Sequence, residues 1–365
     1  MLRYINEFRS SELAAGILAN IRRNSRTPAR LMEFCGGHTV TIFKHGIRQA
    51  LPDTLEMVSG PGCPVCVTAN TDIDRAIALS KLPNVIIATF GDMMRVPGSN
   101  MSLQEAKAGG ADVRMVYSAM DAIDIAKKNS ERSVIFLSIG FETTAPTIAA
   151  SILQARDKGV KNYYVLPLNK LSPPAIRGIL DSGEVRLHGL ICPGHVSTII
   201  GSEPWGAIAR DYHVPCVVSG FEPVDILQCV SMLVDQIEKG EARVEIAYSR
   251  AVGREGNPAA LKLMEKVFEP APARWRGMGE IDASGLKLRS EYREFDADLA
   301  FRVTQEPSCE PRGCICGEIL RGTKTPIDCS LFAATCTPEH PVGPCMVSSE
   351  GSCSAFYLYG SNLAR

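Results

Sequence analysis

The chain has 365 residues, enough for two or three domains at roughly 100–200 residues each. Its 39 basic and 40 acidic residues leave a formal net charge of −1 with no long run of one sign, which excludes a broad electrostatic footprint for nucleic acid. Hydrophobic residues make up 45 %, yet no apolar stretch approaches the roughly 20 residues of a membrane span. A cytoplasmic globular protein is expected.

Residues 1–28 carry Glu7 and Glu12 within an apolar pattern and read as an amphipathic N-terminal helix, not as a signal peptide. From residue 29 to about 240 one pattern repeats: an apolar, β-branched run, a glycine-rich or polar turn, then a helical stretch. The runs fall at 29–34, 55–58, 85–90, 134–139, 163–168, 187–191 and 215–218. Helices are predicted at 72–81, 119–128, 147–158, 172–181, 197–210 and 224–239. Short apolar strands alternating with helices predict parallel sheet covered on both faces. The fold class is therefore α/β, with two Rossmann-like parallel-sheet lobes and a small C-terminal iron–sulfur domain. Phe90–Gly91–Asp92, Gly140–Phe141–Glu142 and Gly220–Phe221–Glu222 resemble one another at successive strand ends. They suggest two related lobes, 29–125 and 126–255, with the switch near 118–133. Beyond 240, residues 241–251 are a further strand and 258–268 a helix, and the two prolines of EPAPARWR (269–276) break regular structure. Residues 256–365 form the C-terminal domain.

Thirteen cysteines in a reducing compartment point to metal binding or redox chemistry more than to structural disulfides. Ligands of open α/β sheets bind outside the carboxyl ends of strands, and the unusual residues of this chain sit there. LMEFCGGHT (31–39) delivers Cys35 and His38 from the first strand. A Cys and a His three residues apart can share a metal, or the His can lower the thiol pKa. A helix starting near Thr39 would favour the thiolate as well. SGPGCPVCVT (59–68) places Cys63 and Cys66 as a Cys-x-x-Cys pair at a strand-to-helix turn, the arrangement of a redox dithiol or of half a zinc site. Cys192 and His195 could reach the same crevice. Cys216 and Cys229 lie in apolar surroundings and read as core, and His188 and His213 as structural or surface residues. Glu142, Glu222 and Asp225 line the crevice or cap helices.

Seven cysteines lie between Cys309 and Cys353, separated by Gly and Pro turns. Four converging thiolates are what a [4Fe–4S] cluster requires. Zinc is the competitor, but its ligands usually pair as Cys-x₂₋₄-Cys, and the later gaps here are wide. Cys314, Cys329, Cys336 and Cys353 leave fourteen, six and sixteen residues between successive members. Spacing alone does not choose this set over one that uses Cys316. With it, Cys316 and Cys345 remain beside the cluster as a redox pair.

Taken together, MEFCGGHT, SGPGCPVCVT, FGDMMRVPGS, GFETTAPT, CPGHVSTIIG, SGFEPVDIL and CTPEHPVGPCMVSSEGSC resemble the HypD family of [NiFe]-hydrogenase maturation proteins along essentially the whole chain. The resemblance implies assembly of the Fe(CN)2CO unit for the hydrogenase large-subunit precursor, together with the small chaperone HypC and the cyanide donor HypE. It implies that Cys35 carries the iron, with His38 beside it, and that Cys63 and Cys66 are the family's dithiol. The tail resembles a ferredoxin:thioredoxin-reductase-like site. That likeness supports Cys314, Cys329, Cys336 and Cys353 as cluster ligands, with Cys316 and Cys345 as the redox pair. Cys309 has no place in the family pattern. Two other classes remain: a stand-alone iron–sulfur thiol–disulfide reductase, which has no need of Cys35-Gly-Gly-His38, and a docking module, which has no need of Cys63 and Cys66.

Overall fold

The computed structural model describes residues 6–304 and 307–360. Residues 1–5 of the expected N-terminal helix, and 305–306 and 361–365 of the C-terminal region, lie outside the described residues. Within the described part of the N-terminus, a 3₁₀ turn at Asn6–Arg9 precedes a helix at Ser11–Asn24, whose N-cap Ser10 accepts from Leu13 N.

Among the described residues, nine parallel strands build two sheets. They are β1 (Ala29–Glu33), β2 (Leu55–Ser59), β3 (Val85–Thr89), β4 (Val113–Met115), β5 (Ser133–Ser138), β6 (Tyr163–Pro167), β7 (Gly189–Pro193), β8 (Cys216–Ser219) and β9 (Val244–Ile246). The first sheet runs β2-β1-β7-β8-β9 and the second β4-β3-β5-β6. Strands such as β3 and β7 are buried at every position, which is why they read as unbroken apolar runs.

Sheet membership does not follow the halves 29–125 and 126–255. β1 and β2 pair in one sheet with β7, β8 and β9, while β3 and β4 join β5 and β6. The chain changes sheet after β2 and returns after β6. The expected switch at 118–133 instead holds an ordinary crossover within the second sheet, built on the helix Ala119–Lys128.

Three further local expectations are corrected. The helix expected at 197–210 is two helices, Gly194–Ile200 and Trp205–Tyr212, interrupted by Gly201 at φ +77° and by Pro204. The strand expected at 241–251 shortens to β9. The proline-bearing stretch 269–276 is not irregular. It forms β10 (Phe268–Trp275), paired antiparallel with β11 (Gly279–Leu288). A two-stranded ribbon is all edge, where proline is tolerated, and Pro272 falls at the register shift between Ala271 and Ala273.

This ribbon is anchored by Trp275, which is fully buried, stacks on Phe141 with ring centroids 6.0 Å apart and donates Nε1–H to Ser284 Oγ at 2.8 Å. Arg276 beside it donates to the Thr68 carbonyl at 2.9 Å and so ties the ribbon to the segment after Cys66. Trp275→Ala is expected to lower the unfolding free energy by about 3–5 kcal/mol, the usual cost of emptying a buried aromatic site. Equilibrium urea unfolding followed by fluorescence of the remaining Trp205 checks this, and an unchanged midpoint would refute the anchor.

Candidate redox and iron-binding site

In the first sheet β1 lies between β2 and β7. The chain leaves β1 toward β2 and leaves β7 toward β8, so the carboxyl ends of β1 and β7 flank a topological switch point. Cys35 and His38 follow β1, His195 follows β7, and Phe221 follows β8. Phe221 stacks on His195 (centroids 3.7 Å apart) and on His38 (4.8 Å), which brings the three strand ends together. Cys192 does not join them. It is fully buried, and burial and its neighbour Cys216 raise its thiol pKa, so it belongs to the core like Cys216 and Cys229.

Cys35 is the N-cap of the helix Gly36–Lys44, three residues earlier than the sequence pattern placed that helix. Its backbone N–H donates to Glu33 Oε2 at 3.1 Å, and Thr39 Oγ1 donates to Glu33 Oε1. Burial pushes the Glu33 carboxyl up to about 7. The expectation of a thiolate at Cys35 is overturned. Burial, then the charges of Glu350 and Glu33, push this thiol up to about 12, against the pull of the Gly37 and His38 backbone N–H groups. The His38 ring is fully buried, and burial lowers its pKa to about 3, so it is neutral. Its Nε2 lies 3.3 Å from the Ser219 carbonyl, and its buried Nδ1 has no partner.

Glu350, in the C-terminal tail, was not found by sequence reasoning. It arrives at Cys35 because Gly36 leaves room: a Cβ there would sit 2.5 Å from Glu350 Cβ. Burial and the charge of Asp92, which follows β3, raise the Glu350 carboxyl in turn. Arg95 holds the tail in place by donating to the carbonyls of Pro338 (3.2 Å) and Val347 (3.0 Å). No local pattern announces these contacts, because they join segments 243 to 315 residues apart.

The dithiols lie next to one another. Gly36 N–H donates to the Gly62 carbonyl at 3.1 Å, so Cys63 starts one residue from the Cys35 backbone. Cys63 is the N-cap of the short helix Pro64–Val67, and its sulfur is 2.6 Å from that of Cys66. Cys66 Sγ faces the Pro344 carbonyl at 3.8 Å, beside Cys345. Cys345 and Cys316 approach to 2.8 Å between sulfurs. Burial raises the Cys66 thiol well above its ordinary value. Cys316 and Cys345 are raised as well: hydrogen bonds from Cys314 and Cys316, respectively, pull them down but are outweighed by their other thiol neighbours and by burial.

Beyond that pair a small cavity is lined by Cys314, Cys329, Cys336 and Cys353, with Cys316 and Cys345 on its inner side. Burial raises Cys353, and Cys314, Cys336 and Cys329 add to it, which places those three sulfurs around it. A Cβ at Gly343 would come 2.6 Å from Cys314 Sγ, and Val342 N–H donates to Cys336 Sγ at 3.3 Å. Among the described residues no group of three or more His, Cys, Asp or Glu stands close enough to hold one metal ion. A cluster spreads its four thiolates over four irons, whereas zinc draws all four to about 2.3 Å from a single centre. Four thiols lining one cavity are a donor set that suits the all-cysteine ligation of a [4Fe–4S] cluster.

The remaining sequence candidates are structural. Glu142 is buried, accepts from Ser172 N (2.7 Å) and Oγ (2.9 Å) at the start of the helix Ser172–Ser182, and is raised to about 7 by burial. Glu222 and Asp225 form the capping box of the helix Pro223–Lys239, and Asp225 pairs with Arg250 at 2.6 Å. His188 Nδ1 accepts from Arg30 N at 2.9 Å, and His213 caps the helix Trp205–Tyr212. Cys309 is exposed, and its N–H donates to Ser99 Oγ at 2.9 Å.

A family model described as HypD, hydrogenase formation hypA family, matches residues 12–360. The hydrogenase maturation factor HypD of Cupriavidus necator is 48 % identical over 369 residues, covering 98 % of this chain and 97 % of that protein. HypD of Rhodobacter capsulatus is 45 % identical over 371 residues, covering 98 % of each. A hydrogenase expression/formation protein of Azotobacter chroococcum is 46 % identical over 369 residues, covering 98 % of this chain and 97 % of its own.

Glu350 gives the site a direct test. Glu350→Gln removes a negative charge beside Cys35, which stabilises the thiolate relative to the thiol and moves the pKa down from about 12. At pH 8–9 the variant's Cys35 is therefore expected to react faster with iodoacetamide than the wild type's, read by mass spectrometry of the peptide. An equal or slower rate across that range would show that Glu350 does not act on the thiol.

Proposed function

We propose, from the premise that this chain belongs to the HypD family and is a hydrogenase maturation factor, that it is a redox-active scaffold on which the Fe(CN)2CO unit is assembled. In this reading iron is cargo carried by Cys35, the HypC-type chaperone and HypE act with the chain, and the finished unit passes toward the hydrogenase large-subunit precursor. One observation carries the reading. The sulfurs of Cys63 and Cys66 (2.6 Å) and of Cys345 and Cys316 (2.8 Å) form consecutive pairs between the Cys35 loop and a cavity lined by four more cysteines.

Cys314, Cys329, Cys336 and Cys353 would hold a [4Fe–4S] cluster, which supplies one-electron reducing equivalents when bound. The chain's own residues do the rest. Cys316 and Cys345 gather two electrons as a pair, and Cys66, adjoining Cys345, hands them on toward Cys63 and the Cys35 loop. Burial, with the charges of Glu350 and Glu33 adding to it, holds a proton on Cys35; the same charges favour a metal cation in its place, so loading iron would displace that proton. Neutral His38, whose Nε2–H donates to the Ser219 carbonyl, would offer the Nδ1 lone pair as an acceptor to a donor on the cargo or on the chaperone. A stand-alone reductase is the second reading, but it gives Cys35, His38 and Glu350 no task.

Two experiments test the reading, the first its cluster and the second its difference from a reductase. Single replacement of Cys314, Cys329, Cys336 or Cys353 by Ala is expected to abolish a four-iron cluster or make it labile in iron and sulfide analysis of anaerobically purified protein. Near-normal content in any one variant removes that residue from the ligand set. Cys35→Ser keeps the size but replaces a soft thiolate ligand with a hydroxyl that binds iron poorly. It is expected to retain the tail cluster while losing the cyanide and carbonyl infrared bands of the protein purified with its chaperone, and all hydrogenase maturation. Bands and maturation at wild-type level would leave the reductase reading standing.

A further inference from the structure

Both dithiols are sealed from solvent. Cys63 and Cys66 are 3 % and 0 % exposed, and Cys316 and Cys345 5 % and 1 %. Thiol–disulfide exchange requires the attacking sulfur in contact with the disulfide, so in this conformation a thiol-bearing partner protein reaches neither pair. An electron donor needs only to come near the outer cysteines. Of those, Cys336 and Cys353 are buried, while Cys314 and Cys329 are partly exposed.

Cys329 lies just under the surface. It follows Ile327, which is 64 % exposed, and the exposed Asp328. Its Sγ is 3.8 Å from the Gly313 carbonyl, and both Gly313 and Arg312 are exposed. The Leu331 side chain lies against Gly313, so residues 312–313 and 324–331 meet over Cys329.

The charges on this face are uneven. Nearby ionic groups are already matched: Glu310 pairs with Arg276 (2.9 Å) and Arg321 with Glu184 (2.7 Å). Arg312 and Lys324 are exposed and belong to no salt bridge among the described residues. Asp328 accepts from Thr325 N (2.7 Å) and Oγ1 (2.8 Å) as a cap. Arg312 and Lys324 thus lie on the two segments that meet at Cys329, and the Lys324 charge acts on the Asp328 carboxylate next to the exposed Ile327.

We propose that this face, formed by Arg312, Gly313, Lys324, Ile327 and Cys329, receives a small acidic one-electron carrier protein of the ferredoxin class and is where electrons enter the chain. The proposal rests on the cluster reading of the four outer cysteines. Two reduced carriers each lose one electron through this face. The two electrons, with two protons from solvent, break the S–S bond of an oxidised Cys316–Cys345 pair and leave two thiols. Complementary charge speeds the encounter and ionic strength slows it.

The test uses the full chain, purified anaerobically with its iron and sulfide measured, and a reduced [2Fe–2S] ferredoxin as probe. For the wild type, ferredoxin-driven reduction is expected to slow as salt is raised. Arg312→Glu combined with Lys324→Glu is expected to slow it by at least about tenfold at low salt and to abolish ferredoxin line broadening in NMR titrations. Iron content and reduction by dithionite stay at wild-type level. Ile327→Asp, which leaves both cations in place, should weaken binding too and stands in if the double variant loses iron. A charge-reversed variant with full iron that takes electrons from ferredoxin at the wild-type rate overturns the proposal. So does a wild type that dithionite reduces and ferredoxin does not, and in both cases the cluster stands. A wild type without four irons removes the cluster and this face together.

Discussion

Three chain segments must touch at Cys35, and two glycines permit it. A Cβ at Gly62 would sit 2.3 Å from the Cys35 nitrogen, and one at Gly36 would fall 2.5 Å from Glu350 Cβ. Any side chain at either place would push the β1 loop away from the Cys63–Cys66 helix or away from the tail. The sulfur sequence from Cys35 toward Cys353 exists only while both contacts hold. Elsewhere the tail is kept against the sheets by backbone acceptors for Arg95 and by the edge contact of Phe43 with Phe356, 5.3 Å between centroids.

The sheet topology explains why such a junction can form. Parallel strands present their carboxyl ends on one side, and an open crevice occurs where the connections diverge. The first sheet diverges between β1 and β7, the second between β3 and β5. Cys35 leaves the first switch point, and Asp92, whose charge acts on Glu350, follows β3 at the second. The tail bridges these two strand ends, so a segment with little apolar core of its own is ordered by surfaces that the sheets already provide. Helix Ser352–Tyr359 lies against helix Gly36–Lys44 and carries Cys353 at its start.

The apolar runs of β3, β5 and β7 were legible because a strand buried on both faces is apolar along most of its length. Which strands share a sheet was not, since β1 finds its neighbour β7 some 160 residues away through packing that no local window contains. β4 is three residues long and gives too little signal. The ribbon was hidden by Pro270 and Pro272, residues that argue against strand except at an edge. At the site, Cys35, Cys63, Cys66 and the tail cysteines were legible because a thiol at a strand end or among glycines has few structural uses. Glu350 was not, and neither was its link to the strand-end Asp92, because an exposed-looking acid in a polar loop acquires its role only from what packs over it. Cys192 shows the converse: the motif placed it at a strand end, but its side chain points into the sheet's buried face and does no more than fill it.

Burial also constrains how the sulfur pairs can work. Cys66, Cys316 and Cys345 are held as thiols well above their ordinary pKa, so a free thiolate among them is costly. A disulfide and a dithiol are both neutral, and the surroundings tolerate either, but the singly ionised state between them is disfavoured. Each two-electron change at a pair must therefore carry two protons. The pairs adjoin one another within sulfur contact, so a hydrogen can move with its electrons from one pair to the next, and no charge need be left in the interior. At Cys35 the same environment has the opposite consequence. Glu33 and Glu350 make a positive charge welcome there, and the proton now on the thiol is the species that a metal ion would replace. In the proposed reading, hydrogen equivalents would pass inward as neutral pairs while Cys35 holds the cation, and the metal complex would be reduced without opening the interior to solvent.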